Sequence, residues 1–587
     1  MSEISFRNAF QARHDLKEYG DNALLMYALE LKYNIDDIRA VAVQALTDGN
    51  NDKKCDLVYV DRDGGFAVIA QGYMAQKEKR EAPANKASDL NTAISWLLSL
   101  DLELLPEKIK PAAIELRDAI QSGVIRSIEL WYVHNCQESK NVKSELASVE
   151  ITATNALSTK YRDSNCSEVR ASEIGISTLD EWYKAANIVI LVNEEFRLSI
   201  PGGYSMESSD WEAFATAIPA QWLFELYRAH KTKLLSANVR DYLGSRKSDS
   251  NINYGIKQSA TNDSGNFWAF NNGITAIVND FNFNENDKTL SIKGISIVNG
   301  AQTTGAIGSL DSQPNSDAMV QARFIKSKNR TIVRDIIRYN NSQNRIAPAD
   351  FRSSDSTQDR LRKEFEKYPY ARYFGGRRGG EDDAIRRIPN LISSDTAAQS
   401  LAAFHQRPVT AYNQKGNLWE SDQEYSRIFN DGTHADHILF VYSLHLAIGN
   451  LKLELMSKER NTEKLTNTEE KTVEFLRYRG SIYILMAAIG SCMEIIIDEP
   501  ISSNFLLRFK KIKEMLDAET LWRPIVDCCI AFRSVLQKPL QKGVGLKSTK
   551  DVEDAISEFR SLFEATLVSN KKLYNEFAEK VTILPRQ

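Results

Sequence analysis

Residues 267–280 read FWAFNNGITAIVND, and residues 290–305 read LSIKGISIVNGAQTTG after a short polar segment. Ile295 to Val298 is a β-branched run that predicts a strand. Asn299-Gly300 permits a positive-φ turn, and Ala301-Gln302-Thr303-Thr304 opens a predicted helix. Strand, glycine turn and polar helix start aim backbone N–H groups at one spot. Such a spot suits an anion, a phosphate above all. Asn271-Asn272-Gly273 repeats the amide turn at the head of the other strand.

A third amide cluster, Asn340-Asn341-Ser342-Gln343-Asn344, follows a helix-like run from Thr331 to Tyr339. Amides donate and accept, which suits base edges, ribose and phosphate. They are poor nucleophiles and poor bases. The expected pocket has Asn299, Gly300, Gln302, Thr303 and Thr304 on one wall, Asn271 and Asn272 on a second, and Asn341, Gln343 and Asn344 on a third. Its expected task is to bind rather than to make covalent bonds.

Outward from this centre, charge changes sign. The 587-residue chain carries a net charge of −4, which excludes a protein that coats DNA with its whole surface. Between Gln321 and Arg378, however, fifteen Lys or Arg face six Asp or Glu, interleaved with Tyr339, Phe351, Tyr368, Tyr370, Tyr373 and Phe374. Arginines among aromatics suit phosphate contact and base stacking. Arg323, Arg345, Arg377 and Arg378 are the ligand candidates, whereas Arg360–Lys367 reads as a plain amphipathic helix with Leu361 and Phe365 inside.

The six cysteines show no CxxC pair and no zinc spacing, so reduced thiols and a cytoplasmic location are expected. The start, MSEISFRNAFQARHD, is charged and lacks an apolar core. Ile482–Met493 is too short to span a bilayer and predicts a buried helix. No membrane partner is expected.

Toward the N-terminus, residues 15–46 predict two helices. Leu57–Val60 and Phe66–Ala70 predict strands joined at Asp63-Gly64. Asn85–Leu100 and Pro106–Ile120 predict helices, Ser127–His134 a strand, and Ser139–Lys160 a polar helix. In the middle, Asn187–Val192 predicts a strand, Ile218–His230 a helix, Lys247–Ser264 a polar loop, and Val320–Lys326 a strand with Gln321, Arg323 and Ile325 on one side. Residues 435–587 predict helices: His437–Ala447, Thr472–Ile497, Asn504–Ala518, Leu521–Leu536 and Asp551–Glu579. His434 and His437 read as cap or packing residues.

NNGIT, IVNGAQTT and RYNNSQNRI, in that order, resemble the AIPR family (abortive infection phage resistance). LFELYRAHKTKLLSANVRDYL at Leu223–Leu243 and the segment Ile392–Phe429 are similar to the flanks of that family. The resemblance covers roughly residues 195–430 and implies defence against phage. The N-terminal order of helix, hairpin, helix and strand resembles the restriction-endonuclease-like PD-(D/E)xK fold. That resemblance implies Asp56 and Gln71 as ligands of Mg²⁺ or Mn²⁺, with Glu30 and Asp52 assisting. It departs at Tyr73, which stands where a lysine is expected; Lys77 and Lys79 follow at a spacing that requires nothing of them.

The expected fold class is α/β plus all-α in several domains: a restriction-endonuclease-like α/β domain over 1–165, a mixed α/β AIPR domain over 185–380, and a helical region over 381–587. The expected function is phage defence through nucleic-acid binding and metal-dependent cleavage, with catalytic residues Asp56, Gln71, Tyr73 and Glu30. The alternative is a catalytically inactive nucleic-acid or nucleotide sensor. Expected partners are nucleic acid (DNA ahead of RNA), a free nucleotide, a second copy of the chain or a partner subunit of a defence system.

Overall fold

The computed structural model describes residues 6–33, 35–47, 52–187, 190, 192–238, 250–341, 352, 355–373, 390–461, 463–541 and 546–584. It is mixed α/β with a large helical part. The first sheet has four strands in the order β1 (Leu57–Asp61), β2 (Phe66–Tyr73), β3 (Ser127–His134) and β4 (Glu168–Ile174). β1 and β2 form the antiparallel hairpin expected at Asp63-Gly64; β2, β3 and β4 run parallel. Parallel neighbours need crossovers, and helices supply them. Helix α2 (Lys110–Gln121) precedes β3, and α3 (Lys140–Lys160) joins β3 to β4. The expected helix over 85–100 is broken into short pieces ending in a π turn at Ser95–Ser99.

The two faces of this sheet bury different cores. Val58, Ala67, Ile69, Ile128, Leu130 and Tyr132 pack against the crossover helices. Leu57, Val68, Ala70, Trp131 and Val133 face the other way, toward α1 (Ala23–Tyr33), and that cluster continues without a break into the helical region. Strand alternation produces this division, because consecutive side chains leave a strand on opposite sides.

A seven-stranded sheet forms the centre. Its path is β5 (Val192–Ser199), β10 (Thr289–Asn299), β8 (Ile274–Ile277), β11 (Met319–Lys326), β7 (Glu212–Pro219) and β6 (Gly203–Glu207), with β9 (Asp280–Asn284) beside β10. Helices α4 (Ala220–His230), α5 (Ser250–Asn262), α6 (Phe267–Phe270), α7 (Ala301–Gly308) and α8 (Arg330–Asn341) accompany it. One expectation falls partly outside the described residues and one is corrected. Of the strand assigned to Asn187–Val192, Asn187 ends a helix and Val192 opens β5, while residues 188, 189 and 191 lie outside the described residues. The polar loop over 247–264 is helix α5 from Ser250 onward; its buried Ala260 and half-buried Ile256 give it an apolar side that a count of polar residues hides.

The C-terminal part is helical, with exceptions. Helix α9 (Ser356–Phe365) buries Leu361 and Phe365, as its periodicity requires. Helix α10 (Ala435–Arg460) is 26 residues long and apolar enough to cross a membrane by length and composition, but 78% of its most apolar window is buried in the protein. Helix α11 (Ser481–Ser491) is buried from Ser481 to Gly490. The helix expected over 504–518 is corrected: Leu507–Phe509 pairs as a strand with Val581–Ile583, and the next helix starts at Met515.

This helical region closes over the N-terminal sheet. Asp37 accepts from Thr396 Oγ1 at 3.0 Å and from Tyr442 Oη at 3.2 Å. Arg479 pairs with Glu115 on α2 at 3.1 Å and donates to the Val58 carbonyl on β1 at 3.2 Å.

Candidate functional site

Two places gather the residues singled out by sequence. The first is the end of the N-terminal sheet where β1 begins and β2, β3 and β4 end. Carboxyl ends of parallel strands open a crevice that side chains from several strands can line. Leu57 pairs with Ala70, so Asp56 falls opposite Gln71 on the same face. The backbone confirms the register: Asp56 N–H donates to the Ala70 carbonyl at 3.0 Å. The Asp56 carboxylate accepts from Gly72 N–H at 2.7 Å, which fixes it across the hairpin.

Gln71 is only 4% exposed, and its Oε1 is buried without a hydrogen-bond partner. A buried amide oxygen left unpaired is costly, by about 1–3 kcal/mol. Asn22, also buried, presents its side-chain oxygen to Gly72: a Cβ there would lie 3.2 Å from Asn22 Oδ1 and 3.7 Å from Asp56 Oδ2. Sequence reading missed Asn22, because its proximity arises only when the segment before α1 packs on the strand end.

The other predicted residues fall as follows. Glu30, on α1, is held by Arg13 in a two-pronged pair at 2.9 and 2.8 Å. Asp52 accepts from Lys54 N–H at 2.9 Å within its own turn. Tyr73, two residues beyond Gln71 on the same face, accepts a hydrogen bond from Lys79 Nζ at 2.9 Å. Among the described residues no group of three His, Cys, Asp or Glu is placed to hold a metal. The donors that the hairpin register brings together here are the Asp56 carboxylate and the Gln71 amide oxygen. Mg²⁺ sites commonly use one or two carboxylates and complete the shell with water and substrate phosphate.

The second place is the centre of the seven-stranded sheet. Asn271, at the end of α6, accepts from Gly273 N–H at 2.8 Å and from Thr303 Oγ1 at 3.1 Å. It therefore ties its own turn to the first turn of α7. Gly273 and Gly300 have φ of +73° and +91°. The two turns are stacked so closely that a Cβ on Gly300 would meet the Gly273 carbonyl oxygen at 2.5 Å. Thr304 is buried and donates to the Gly300 carbonyl at 2.8 Å. Asn271, Thr303 and Thr304 thus build the turns, while Asn272 and Gln302 are exposed above them.

The strand register brings further residues into line. Asn299 pairs with Thr275, and Thr275 with Arg323, so one row crosses β10, β8 and β11. Arg323 donates to Thr275 Oγ1 at 3.2 Å and to Asn340 Oδ1 on α8 at 2.9 Å. Asn340 belongs to the third amide cluster, and Asn341 ends α8. Gln343, Asn344, Arg345, Arg377 and Arg378 lie outside the described residues. Two aromatics on α6 were overlooked: Trp268 and Phe270 are 51% and 65% exposed, directly before Asn271-Asn272. Their exposure was invisible in an apolar-looking tetrapeptide.

Fold and geometry define the class: a mixed α/β and helical protein with polar side chains gathered at strand ends of two different sheets. Residues 235–526 match the family model described as AIPR protein. The match supports the AIPR identification made on the amide motifs. The matched span begins after the N-terminal sheet, so that sheet rests on its own geometry. No curated protein and no solved structure matches the chain.

Proposed function

We propose that this AIPR protein acts in phage defence by binding nucleic acid, DNA ahead of RNA, and cleaving it in a metal-dependent reaction at the end of the N-terminal sheet. The observation that carries this is Gln71 Oε1, buried and unpaired on the same face as Asp56. Asp56 and Gln71 would hold Mg²⁺ or Mn²⁺. When bound, the ion would neutralise charge on a phosphoryl oxygen and lower the pKa of a coordinated water. The chain's own part is positional: Gly72 N–H orients the Asp56 carboxylate, and the hairpin register holds Gln71 beside it.

The central turns would take a phosphate or base through Asn272, Gln302 and Arg323. The location is proposed to be cytoplasmic, and a second copy or a defence-system subunit is a candidate partner. A second reading, a catalytically silent nucleic-acid or nucleotide sensor, is favoured by Tyr73 in the place of a strand lysine. The test is cleavage of plasmid DNA, linear DNA and RNA with Mg²⁺ or Mn²⁺ against EDTA, for the wild type and Asp56→Ala. Metal-dependent cutting that disappears in the variant supports hydrolysis. Cutting that survives in Asp56→Ala removes this site from the reaction, and the absence of cutting on every substrate selects the sensor.

A further inference from the structure

We infer that Lys79 and Tyr73 together form a phosphate-oxygen site beside the Asp56–Gln71 pair, with Lys79 supplying the positive charge that strand β2 lacks. This rests on the reading of the N-terminal sheet end as a nucleic-acid site. Lys79 comes from the loop after β2, not from the strand. That loop is fastened at two points by the exit of β3. Asn135 accepts from Ala75 N–H at 2.8 Å and donates to the Ala75 carbonyl at 3.0 Å. Gln137 N–H donates to the Arg80 carbonyl at 3.1 Å, and Glu81 bridges to Gln137. The Lys79 backbone is thus held on both sides although its side chain is in solvent.

The side chain turns back onto the strand end. Lys79 Nζ donates to Tyr73 Oη at 2.9 Å and lies 5.6 Å from the Tyr73 ring centre. Among the described residues no carboxylate lies within ion-pair distance of it, unlike Lys54, Lys108 or Lys110, each of which has one. An ammonium with three donors, one of them spent on a phenol, retains two for an incoming anion. Tyr73 and Gln71 are two residues apart on one face, so the pair sits about 7 Å along the strand from the Gln71 side chain. That spacing suits one phosphodiester: one oxygen toward the Asp56–Gln71 end, another on Lys79 and Tyr73 Oη. Tyrosine at this position holds the lysine head in place as an acceptor while offering its own O–H to the same phosphate.

The test is binding of a fluorescent duplex and the matching single strand, in EDTA and in Ca²⁺, followed by anisotropy across a salt series. The proteins are full-length wild type, Lys79→Ala, Lys79→Arg, Tyr73→Phe and the double variant Tyr73→Lys/Lys79→Ala. Lys79→Ala is expected to weaken binding about three- to tenfold and to lower the salt slope by about one. Lys79→Arg and the double variant should restore both. Equal affinity and equal slope in wild type and Lys79→Ala would overturn the inference, as would failure of the wild type to bind either strand form. Cleavage separates the two proposals. Lys79-dependent binding without cutting keeps the phosphate site and removes hydrolysis. Cutting and binding that are both indifferent to Lys79→Ala keep hydrolysis and remove the phosphate site.

Discussion

Thr303, in the first turn of α7, donates its hydroxyl to Asn271 Oδ1 at 3.1 Å across 32 residues of chain. That one amide oxygen also takes the Gly273 N–H. The two glycine turns of the central sheet are therefore a single unit, and their side chains divide into those that build it and those that stand on it.

Asn271→Ala should cost about 1–3 kcal/mol in urea unfolding, because it strands the Gly273 N–H and the Thr303 hydroxyl. Asn272→Ala, at an exposed position, should leave the unfolding midpoint unchanged and alter ligand binding instead. Equal destabilisation by both substitutions would show that Asn272 also builds the turn.

Gly300→Ala should be more damaging than a typical surface change, by roughly 1–3 kcal/mol. Its φ of +91° strains any L side chain, and the Gly273 carbonyl occupies the Cβ direction. A thermal melt against wild type checks this; an unchanged midpoint would mean that the two turns can separate freely.

Glu115→Ala should cost about 3–5 kcal/mol, since Arg479 would remain buried opposite an empty position. Glu115 also accepts from Tyr412 Oη, so the loss reaches both the α2 side and the helical side of the contact. Lys452 offers the opposite case. Burial, and then the nearby Arg479 and Arg477, push its pKa well below the usual lysine value. At neutral pH the unfolded chain holds a proton there that the folded chain resists, so Lys452→Met should stabilise by about 1–4 kcal/mol. Chemical denaturation of both variants at pH 7 reads the two signs directly.

His405 and His437 meet at 3.0 Å between their Nε2 atoms. His437 Nδ1 donates to the Leu507 carbonyl at 2.9 Å, so its Nε2 accepts and His405 donates. Burial favours the neutral form of both rings in the folded state. Burial lowers His437 to about 4 and pushes His405 well below 6.5. Folded-state values below the unfolded ones mean that the unfolded chain takes up protons first as pH falls. Stability should therefore be complete above pH 6.5 and decline toward pH 4, by up to about 1.4 kcal/mol per pH unit for each histidine. Urea titrations at several pH values should show a shallower decline for His405→Phe; an identical slope would mean that the pair is not the source.

Much of this was legible in the chain because the signals are local. Asn-Gly and Asp-Gly choose their own backbone conformation, and period-two runs choose strands, so the β1–β2 hairpin, β11 and the turn at Asn299-Gly300 follow from near neighbours. The motif order NNGIT, IVNGAQTT, NNSQNRI was enough to point to the AIPR family, which the family match over 235–526 supports. Leu361 and Phe365 could be placed inside α9 by spacing alone.

Only the tertiary structure decided which polar groups meet. Asn22 reaches Gly72 because α1 and the segment before it pack on the sheet, and Lys79 reaches Tyr73 because Asn135 and Gln137 pin the loop between them. Thr304 is turned inward to close its own helix start, a role that an exposed-looking Gln-Thr-Thr run conceals. Helix α10 shows the same limit: composition permits a membrane span, and burial against the rest of the chain determines that it is a core helix. Hydrogen bonds such as Asp37 to Thr396 join residues 359 apart, and no local preference encodes them. Local sequence fixes backbone shape through sterics and periodicity, whereas side-chain partnership depends on burial and close packing, which exist only after distant elements come together.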